Sequence, residues 1–285
     1  MSIPDRATAD YAGLFEVERD RLLRVLDSLD PEDWDRDSPC PGWTVLGLTC
    51  HLLGGDLSTL SRQRDGHFGT EPPDGLADND SFARWLDRLQ DDWVTAARRI
   101  SPRLVIDLLR HTGPQLAAHF RSQDPSARTA RVSWAGPDAA PVWLDQGREL
   151  TEYWIHRQQL QIATNRGGEL ETDLTGAVLD ALRWAYPYRL GQLARPDGEA
   201  VVIEIHGAVD RRWTLQWHHG DCAFVDSAGG PVVARLTMST DQAWRLLSNN
   251  LDPRAQQDLA FSGDPEVIAM ILRTRAIIGV PNISP

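Results

Sequence analysis

The pattern of apolar and polar positions divides the chain into two parts. Up to about residue 195, apolar residues recur at the three-to-four-residue spacing of amphipathic helices, and beyond it they alternate as in strands. The first part therefore predicts a helical bundle, and the second predicts a small α+β domain. We expect two domains, residues 1–195 and residues 196–285, in a fold that mixes α and α/β structure.

Six helices are predicted before this boundary. They cover residues 10–29, 45–63, 81–100, 102–123, about 145–164 and 173–193. Thr44 is a plausible N-cap of the second helix. Gly113-Pro114 predicts a break or a new start in the fourth helix, because proline lacks the amide that a helix interior needs. Residues 124–143 are predicted to be a loop with a short extended piece.

The segment beyond the boundary predicts strands and two further helices. The strands cover residues 201–207, 212–221, 222–227 and 233–240, with a turn at 207–210. A helix follows at residues 240–250, with Thr240 as its N-cap. A last strand end then precedes a helix that starts at Asp264-Pro265.

Charge and composition exclude several classes of partner. The chain of 285 residues has 41 acidic and 29 basic residues, so it lacks the positive field that attracts nucleic acid or anionic membranes. We find no run of eighteen apolar residues and no secretion signal, and we expect a cytoplasmic protein. The three cysteines show no CxxC spacing, which favours buried free thiols over a disulfide framework.

The candidate chemistry starts in the helix predicted at residues 145–164. Glu152, His156 and Gln159 lie within one stripe of this helix, whereas apolar residues occupy the remaining directions. A Glu and a His four residues apart also occur as an ordinary surface pair. This helix alone does not decide whether the polar stripe faces water or lines a cavity inside the bundle.

A second histidine, His51, lies in the helix predicted at residues 45–63. Small residues flank it at helical spacing, namely Gly47, Gly54, Gly55 and Ser58. Such a stripe lets another helix or a ligand approach the ring, although a packed or capping histidine is an equal alternative. Together with Glu152 and His156, His51 would complete the two nitrogens and one carboxylate oxygen of an open catalytic Zn²⁺ or Fe²⁺ site.

Two segments that contain these residues resemble the signatures of a known family. SPCPGWTVLGLTCHLLGGDL and TEYWIHRQQL are similar to the two metal-ligand signatures of the DinB-like superfamily, in particular its mycothiol-dependent maleylpyruvate isomerase family. TMSTDQAWRLLSNN and FSGDPEVIAMILRTRAIIG resemble that family's small sterol-carrier-like C-terminal domain. The resemblance implies a four-helix bundle that binds a divalent metal, usually zinc, through His51, Glu152 and His156.

The resemblance also implies a function. Members use the metal to activate a low-molecular-weight thiol such as mycothiol, so we expect an S-transferase or a thiol-dependent isomerase acting on a small electrophile. Two alternatives stay open: a thiol-exchange enzyme acting on a sulfur-containing natural product, and a noncatalytic ligand-binding protein with a vestigial metal site. The protein would be a monomer or a homodimer.

Several further residues have candidate roles. Gln159 would hydrogen-bond a metal-bound water or orient a ligand, and Trp43 would line the cofactor pocket. The family's C-terminal Gly-Arg pair is missing from LLSNNLDPRAQ, which leaves Arg245, Arg235 and Arg254 as candidate cations for a substrate or cofactor.

Two other features of the sequence have open interpretations. Asp56 falls near the apolar face of its helix, and it either pairs with a buried partner such as arginine or serves as a cap or surface residue. His218 and His219, at a strand end, either reach a cleft between the domains or are simply exposed.

Overall fold

In the computed structural model, the chain forms two compact units. The structure describes residues 3–7, 9–70, 79–168 and 170–277. Within these ranges, the helical unit comprises residues 9–127 and 149–168, and the sheet unit comprises residues 3–7, 128–148 and 170–277. The domain boundary predicted between residues 195 and 196 stays a prediction.

Five helices form the first part of the chain, in the order that the periodicity predicts. They are α1 (Tyr11–Asp27), α2 (Val45–Thr59), α3 (Asn79–Ala97), α4 (Pro102–Ser122) and α5 (Val142–Ala163), with a 3₁₀ turn at Pro31–Asp35 and a π turn at Leu60–Arg64. Thr44 is the N-cap of α2, as predicted, because its Oγ1 accepts a hydrogen bond from the Gly47 amide at 3.2 Å. Within the described ranges, no helix has both the length and the hydrophobicity needed to cross a bilayer.

Helix α4 continues through Pro114, so the predicted break at Gly113-Pro114 is wrong. Residues on both sides of the proline, including Leu109, Leu116 and Phe120, are buried in the same core. The apolar contacts on both sides therefore hold one helix axis, although the proline removes a hydrogen bond from the helix.

The core of the helical unit draws on α1, α2, α4 and α5. The Phe15 ring of α1 meets the Phe120 ring of α4 and the Tyr153 ring of α5 edge-on, with centroid distances of 5.1 and 5.0 Å. Such edge-to-face pairs add to the free energy gained by burying apolar area. They place α5, which contains two of the candidate ligands, against α1 and α4.

Charged groups inside this core also connect the helices. Asp56 of α2 is fully buried and accepts hydrogen bonds from Arg19 Nη2 at 2.5 Å, from the Thr112 hydroxyl and from the Tyr153 hydroxyl. Of the two interpretations of Asp56, pairing with a buried arginine is therefore confirmed. Burial and the neighbouring charge of Asp56 raise the pKa of Tyr153 well above its usual value, so this hydroxyl keeps its proton.

The sheet unit is built on one mixed sheet. Its strands are β1 (Ala200–His206), β2 (Arg211–His218), β3 (Asp221–Val225), β4 (Val232–Ser239) and β5 (Ala260–Gly263), in the spatial order β3-β2-β1-β4-β5. Only β1 and β4 pair in parallel among these five strands. The helices are α6 (Thr172–Leu182), α7 (Ala185–Leu190), α8 (Thr240–Leu247), α9 (Pro253–Gln256) and α10 (Pro265–Arg273). The predicted fold class, a helical region followed by a small mixed sheet domain, is confirmed.

Three details of this unit differ from the sequence predictions. The single helix predicted at residues 173–193 is two helices, because the chain turns at Trp184, whose buried ring contacts the Phe224 ring at a centroid distance of 5.2 Å. The N-cap of α8 is Ser239 instead of Thr240, since Ser239 and Gln242 form a reciprocal capping box. The short helix α9 is an addition to the predicted elements.

The start of α10 follows the prediction at Asp264-Pro265. Asp264 caps the helix through hydrogen bonds from the amides of Glu266 and Val267, at 2.9 and 3.2 Å, and also pairs with Arg195 at 2.9 Å. The hydrogen bond from the Val267 amide, together with those from Arg195 and Glu266, outweighs desolvation and lowers the pKa of this carboxyl. The cap is therefore charged at neutral pH, where it also complements the helix dipole.

Candidate metal centre

The small residues near His51 allow α3 to pack closely against α2. A Cβ atom at Gly54 would lie 2.4 Å from Trp93 Nε1 of α3, so only glycine leaves room for this indole. Trp93 Nε1–H donates a hydrogen bond to the Cys50 carbonyl oxygen at 2.8 Å. This packing brings Gln90, which precedes Trp93 by about one turn of α3, to the ring of His51. Of the two roles predicted for the small residues, Gly54 therefore has the first: it lets another helix pack closely.

The structure brings His51, Glu152 and His156 together, and we call these three side chains the triad. His51 Nε2 lies 2.8 Å from Glu152 Oε1, and His156 Nε2 lies 3.1 Å from the same oxygen. The three donor atoms all lie within 4.8 Å of one another. The one-turn spacing of Glu152 and His156 on α5 sets two of these positions, and the packing of α2 against α5 supplies the third.

An amide side chain orients each imidazole of the triad. His51 Nδ1 lies 3.1 Å from Gln90 Oε1, and His156 Nδ1 lies 2.6 Å from Gln159 Oε1. Since an amide oxygen only accepts hydrogen bonds, each Nδ1 carries a proton and donates it. In the neutral rings, the lone pairs are consequently on the Nε2 atoms, which face the centre of the triad.

This arrangement fits a cation. When both rings are neutral, two Nε2 lone pairs and a carboxylate oxygen converge at distances of 2.8 and 3.1 Å, and such groups repel one another unless a proton or a metal ion lies among them. Two ligands of one tetrahedral zinc ion lie about 3.3 Å apart, as calculated from metal–ligand bonds of about 2.0–2.1 Å. The residues present therefore fit a divalent ion both in donor type and in spacing.

The pKa shifts within the triad show the same preference for positive charge. Burial lowers the pKa of His156, but the charge of Glu152 outweighs it and raises that pKa well above the usual value. Partial burial likewise raises the pKa of Glu152, but the charge on a protonated His156 and hydrogen bonds from both imidazoles hold it well below its usual range. Glu152 is therefore ionised at neutral pH, as a metal ligand must be.

The three side chains differ in their access to solvent. Those of His51 and His156 are only 13 % and 12 % exposed, whereas that of Glu152 is 43 % exposed. The triad is thus open on the carboxylate side and covered around the imidazoles.

The other predicted site residues have different positions. The Trp43 ring packs against the His51 ring, with a centroid distance of 4.9 Å, and its Nε1–H donates to Asp91 Oδ1 at 2.8 Å. Arg245 lies on α8 in the sheet unit, where its Nε donates to Asp241 Oδ2 at 2.8 Å. The cofactor-binding roles of Trp43 and Arg245 stay predictions, as does the metal-binding role of the triad.

Sequence analysis missed two residues of the site. Cys40 was expected to be a buried thiol, but it is only partly buried, and its Sγ lies 3.2 Å from Gln159 Oε1, the oxygen that also faces His156. Its position in the turn before α2 was the available signal. Gln90 had no comparable signal, because only the packing of α3 against α2 brings it to His51.

Comparison with known proteins assigns this part of the chain to a family. Residues 15–161 match the model of a family described as the mycothiol maleylpyruvate isomerase N-terminal domain, and this segment contains all three residues of the triad. A search of curated proteins finds no match.

Two solved structures have a similar fold. One is a crystal structure of the mycothiol-dependent maleylpyruvate isomerase, with a TM-score of 0.55 and 15 % identity, and the match covers 92 % of this chain and 95 % of the other. The second is a histidine-to-alanine mutant of that isomerase, with a TM-score of 0.55, 14 % identity and the same coverage. At these identities the structural likeness shows the fold, whereas the family model covers more than half of the sequence. The chain therefore belongs to the mycothiol maleylpyruvate isomerase N-terminal domain family.

Proposed function

We propose that this protein is a metal-dependent enzyme that uses mycothiol, or another low-molecular-weight thiol, to isomerise a small electrophilic metabolite or to transfer the thiol to it. The main support is the convergence of His51 Nε2 and His156 Nε2 on Glu152 Oε1, at 2.8 and 3.1 Å. Membership of the family supports a thiol as the co-substrate. Zinc is the metal that we expect for this donor set.

The residues of the chain would hold the metal and keep the surrounding groups in place. His51, Glu152 and His156 would be its ligands, while Gln90 and Gln159 hold the two imidazoles in the tautomer that leaves Nε2 free. A bound divalent cation would lower the pKa of a thiol, so that the nucleophilic thiolate forms at neutral pH. The exposed side of Glu152 leaves room for the thiol and its electrophile to approach together.

The proposed isomerisation needs no redox partner. The thiolate sulfur adds to one carbon of a conjugated double bond, and the electron pair of that bond moves onto the adjacent carbonyl oxygen. The former double bond, now single, rotates. The electron pair then returns, the carbon–sulfur bond breaks, and the thiolate leaves unchanged. In S-transfer the adduct instead takes up a proton at the neighbouring carbon and is released.

The first experiment measures metal content in protein that is purified without chelators or nickel resin and then dialysed against metal-free buffer. We expect about one zinc per chain in the wild type and loss of this metal in His51→Ala and in His156→Ala. His111→Ala is the matched control, because His111 is an exposed histidine on α4 and should leave the metal in place. Folded wild-type protein that stays metal-free after reconstitution with zinc would contradict the proposal.

A second experiment tests the thiol. In cobalt-loaded protein, mycothiol should produce a sulfur-to-cobalt charge-transfer band, and the His156→Ala variant should not show it. Maleylpyruvate, which the names of the relatives indicate, is the first substrate to offer. Regeneration of the thiol would indicate isomerisation, whereas consumption of one thiol per turnover would indicate S-transfer. A metal-loaded protein that never binds a thiol would favour the noncatalytic binding protein.

A further inference from the structure

We propose that Asp197, His218 and His219 form a second divalent-cation site, in the sheet unit at the turn between β2 and β3. The three donor groups lie within 4.8 Å of one another and are exposed to solvent. The site is independent of the thiol chemistry proposed above, and its ligand would be a first-row divalent ion.

The turn orients both histidine rings toward one carboxylate. Successive side chains on a strand point to opposite faces, yet the rings of His218 and His219 lie side by side with a centroid distance of 4.0 Å. The reason is that β2 ends at His218 and that His219 has a φ of 53°, in the left-handed region. Gly220 follows with a φ of 83°, so these two residues form the tight hairpin turn before β3.

Asp197 holds this turn with one oxygen and faces the rings with the other. Its Oδ1 accepts a hydrogen bond from the His219 amide at 2.8 Å. Its Oδ2 lies 3.4 Å from His219 Nδ1 and 3.8 Å from His218 Nδ1. The hydrogen bond to the backbone thus fixes the carboxylate relative to both imidazoles before any ion arrives, and this lowers the entropy cost of binding.

The distances suit an ion better than direct hydrogen bonds. Separations of 3.4 and 3.8 Å exceed the length of a good N–H···O bond. They are close to the spacing of about 3.3 Å between two ligands of one tetrahedral ion. The spacing of the three donor atoms, all within 4.8 Å of one another, therefore suits an ion that they share.

The chemistry of the donors indicates which ions would bind. Two imidazole nitrogens and a carboxylate oxygen suit borderline ions, and the affinity should follow the order copper over nickel and zinc. The side chains are exposed by 75 % for His218, 81 % for His219 and 48 % for Asp197. Water would fill the remaining positions, so we expect weaker binding than at the half-covered triad of the helical unit. The net charge of −12 also favours cations near the surface.

The test titrates zinc into the full chain carrying His51→Ala and His156→Ala, which removes the first centre. Calorimetry should show that this variant still binds one equivalent of zinc per chain. Addition of either His218→Ala or His219→Ala should weaken binding at least tenfold, which corresponds to about 1.4 kcal/mol. Asp197→Asn should weaken it as well, although the asparagine can still accept the hydrogen bond from the His219 amide.

His206→Ala is the matched control. His206 is an exposed histidine of the same unit, 3.8 Å from the carboxylate of Asp210, and within the described ranges it belongs to neither group of three potential metal ligands. It should leave zinc binding unchanged. Absence of binding at millimolar zinc, in protein whose circular dichroism shows an intact fold, would overturn the proposal. Equal affinity in the His218→Ala and His206→Ala variants would also overturn it.

Discussion

The buried ion pair between Glu18 of α1 and Arg157 of α5 offers a sharp test of how the candidate ligands are positioned. Arg157 Nε and Nη2 donate to the two carboxylate oxygens of Glu18 at 2.6 and 2.9 Å, in a two-pronged geometry. The side chains are 2 % and 0 % exposed. Arg157 follows His156 directly, so this pair anchors the helix face that lies beside the candidate metal centre.

Removal of one partner should be far more costly than removal of both. In Glu18→Leu the guanidinium of Arg157 stays buried without its carboxylate, and in Arg157→Met the carboxylate of Glu18 stays buried without its cation. Each change should lower the free energy of unfolding by about 3–5 kcal/mol. The double variant replaces the pair by apolar side chains, and it should lie within about 2 kcal/mol of the wild type.

The assay is urea unfolding, followed by tryptophan fluorescence and circular dichroism, for the four proteins of the double-mutant cycle. The expected result is a coupling energy above about 3 kcal/mol. Asp107→Ala serves as the control, because its ion pair with Arg110 joins side chains that are 54 % and 49 % exposed, and it should cost less than about 1 kcal/mol. Additive losses in the cycle, or single losses below about 1 kcal/mol, would refute the reasoning.

Three further predictions concern the site and its surroundings. Gln159→Leu removes the hydrogen-bond acceptor of His156 Nδ1 and should weaken zinc binding by about 10–100-fold, as measured by competition with a chelating dye. Hydrogen bonds from the helix amides and from an arginine lower the pKa of Asp264, so its charge stabilises the fold above the unfolded pKa, near 3.8. This contribution is lost as the pH falls through the folded pKa, and the difference in melting temperature between wild type and Asp264→Asn should shrink below about pH 4. Burial raises the pKa of the Cys50 thiol to about 11, so iodoacetamide should alkylate Cys40 first in the native protein, as peptide mapping would show.

Each of these predictions has a contrary outcome, and the first two also have a control variant. Gln192→Leu, at an exposed glutamine, should leave zinc affinity unchanged, and an equal loss in both variants would remove Gln159 from the site. Asp138→Asn, at an exposed aspartate, should not alter the pH profile, and a constant difference for Asp264→Asn across the acid range would contradict the linkage argument. Equal alkylation rates for Cys50 and Cys40 would show that the core around α2 opens readily.

The sequence alone determined most of the local structure, because helix and strand periodicity and capping groups depend on neighbouring residues. It located the helices of the first part, the four longer strands of the second, the cap at Thr44 and the start of the last helix at Asp264-Pro265. It failed at Pro114, where contacts on both sides hold the helix together, and at Trp184, where a buried ring turns the chain. In both places contacts from distant residues override the local preference.

The candidate site divides in the same way. The spacing of Glu152 and His156 on one helix is a local property and could be predicted. The small residues around His51 made it a candidate for the third ligand, and the resemblance to a family then implied the same three residues. Only the tertiary structure brings Gln90 to His51 and Cys40 to Gln159, because these residues come from separate segments whose register is set by core packing.

The same distinction applies to the exposed cluster in the sheet unit. The sequence shows His218 and His219 as neighbours, but neighbours on a strand normally point to opposite sides. The left-handed turn and the carboxylate of Asp197 decide that both rings face one oxygen. The sequence therefore specifies the types of ligand, whereas the folded backbone decides how these side chains are positioned relative to one another.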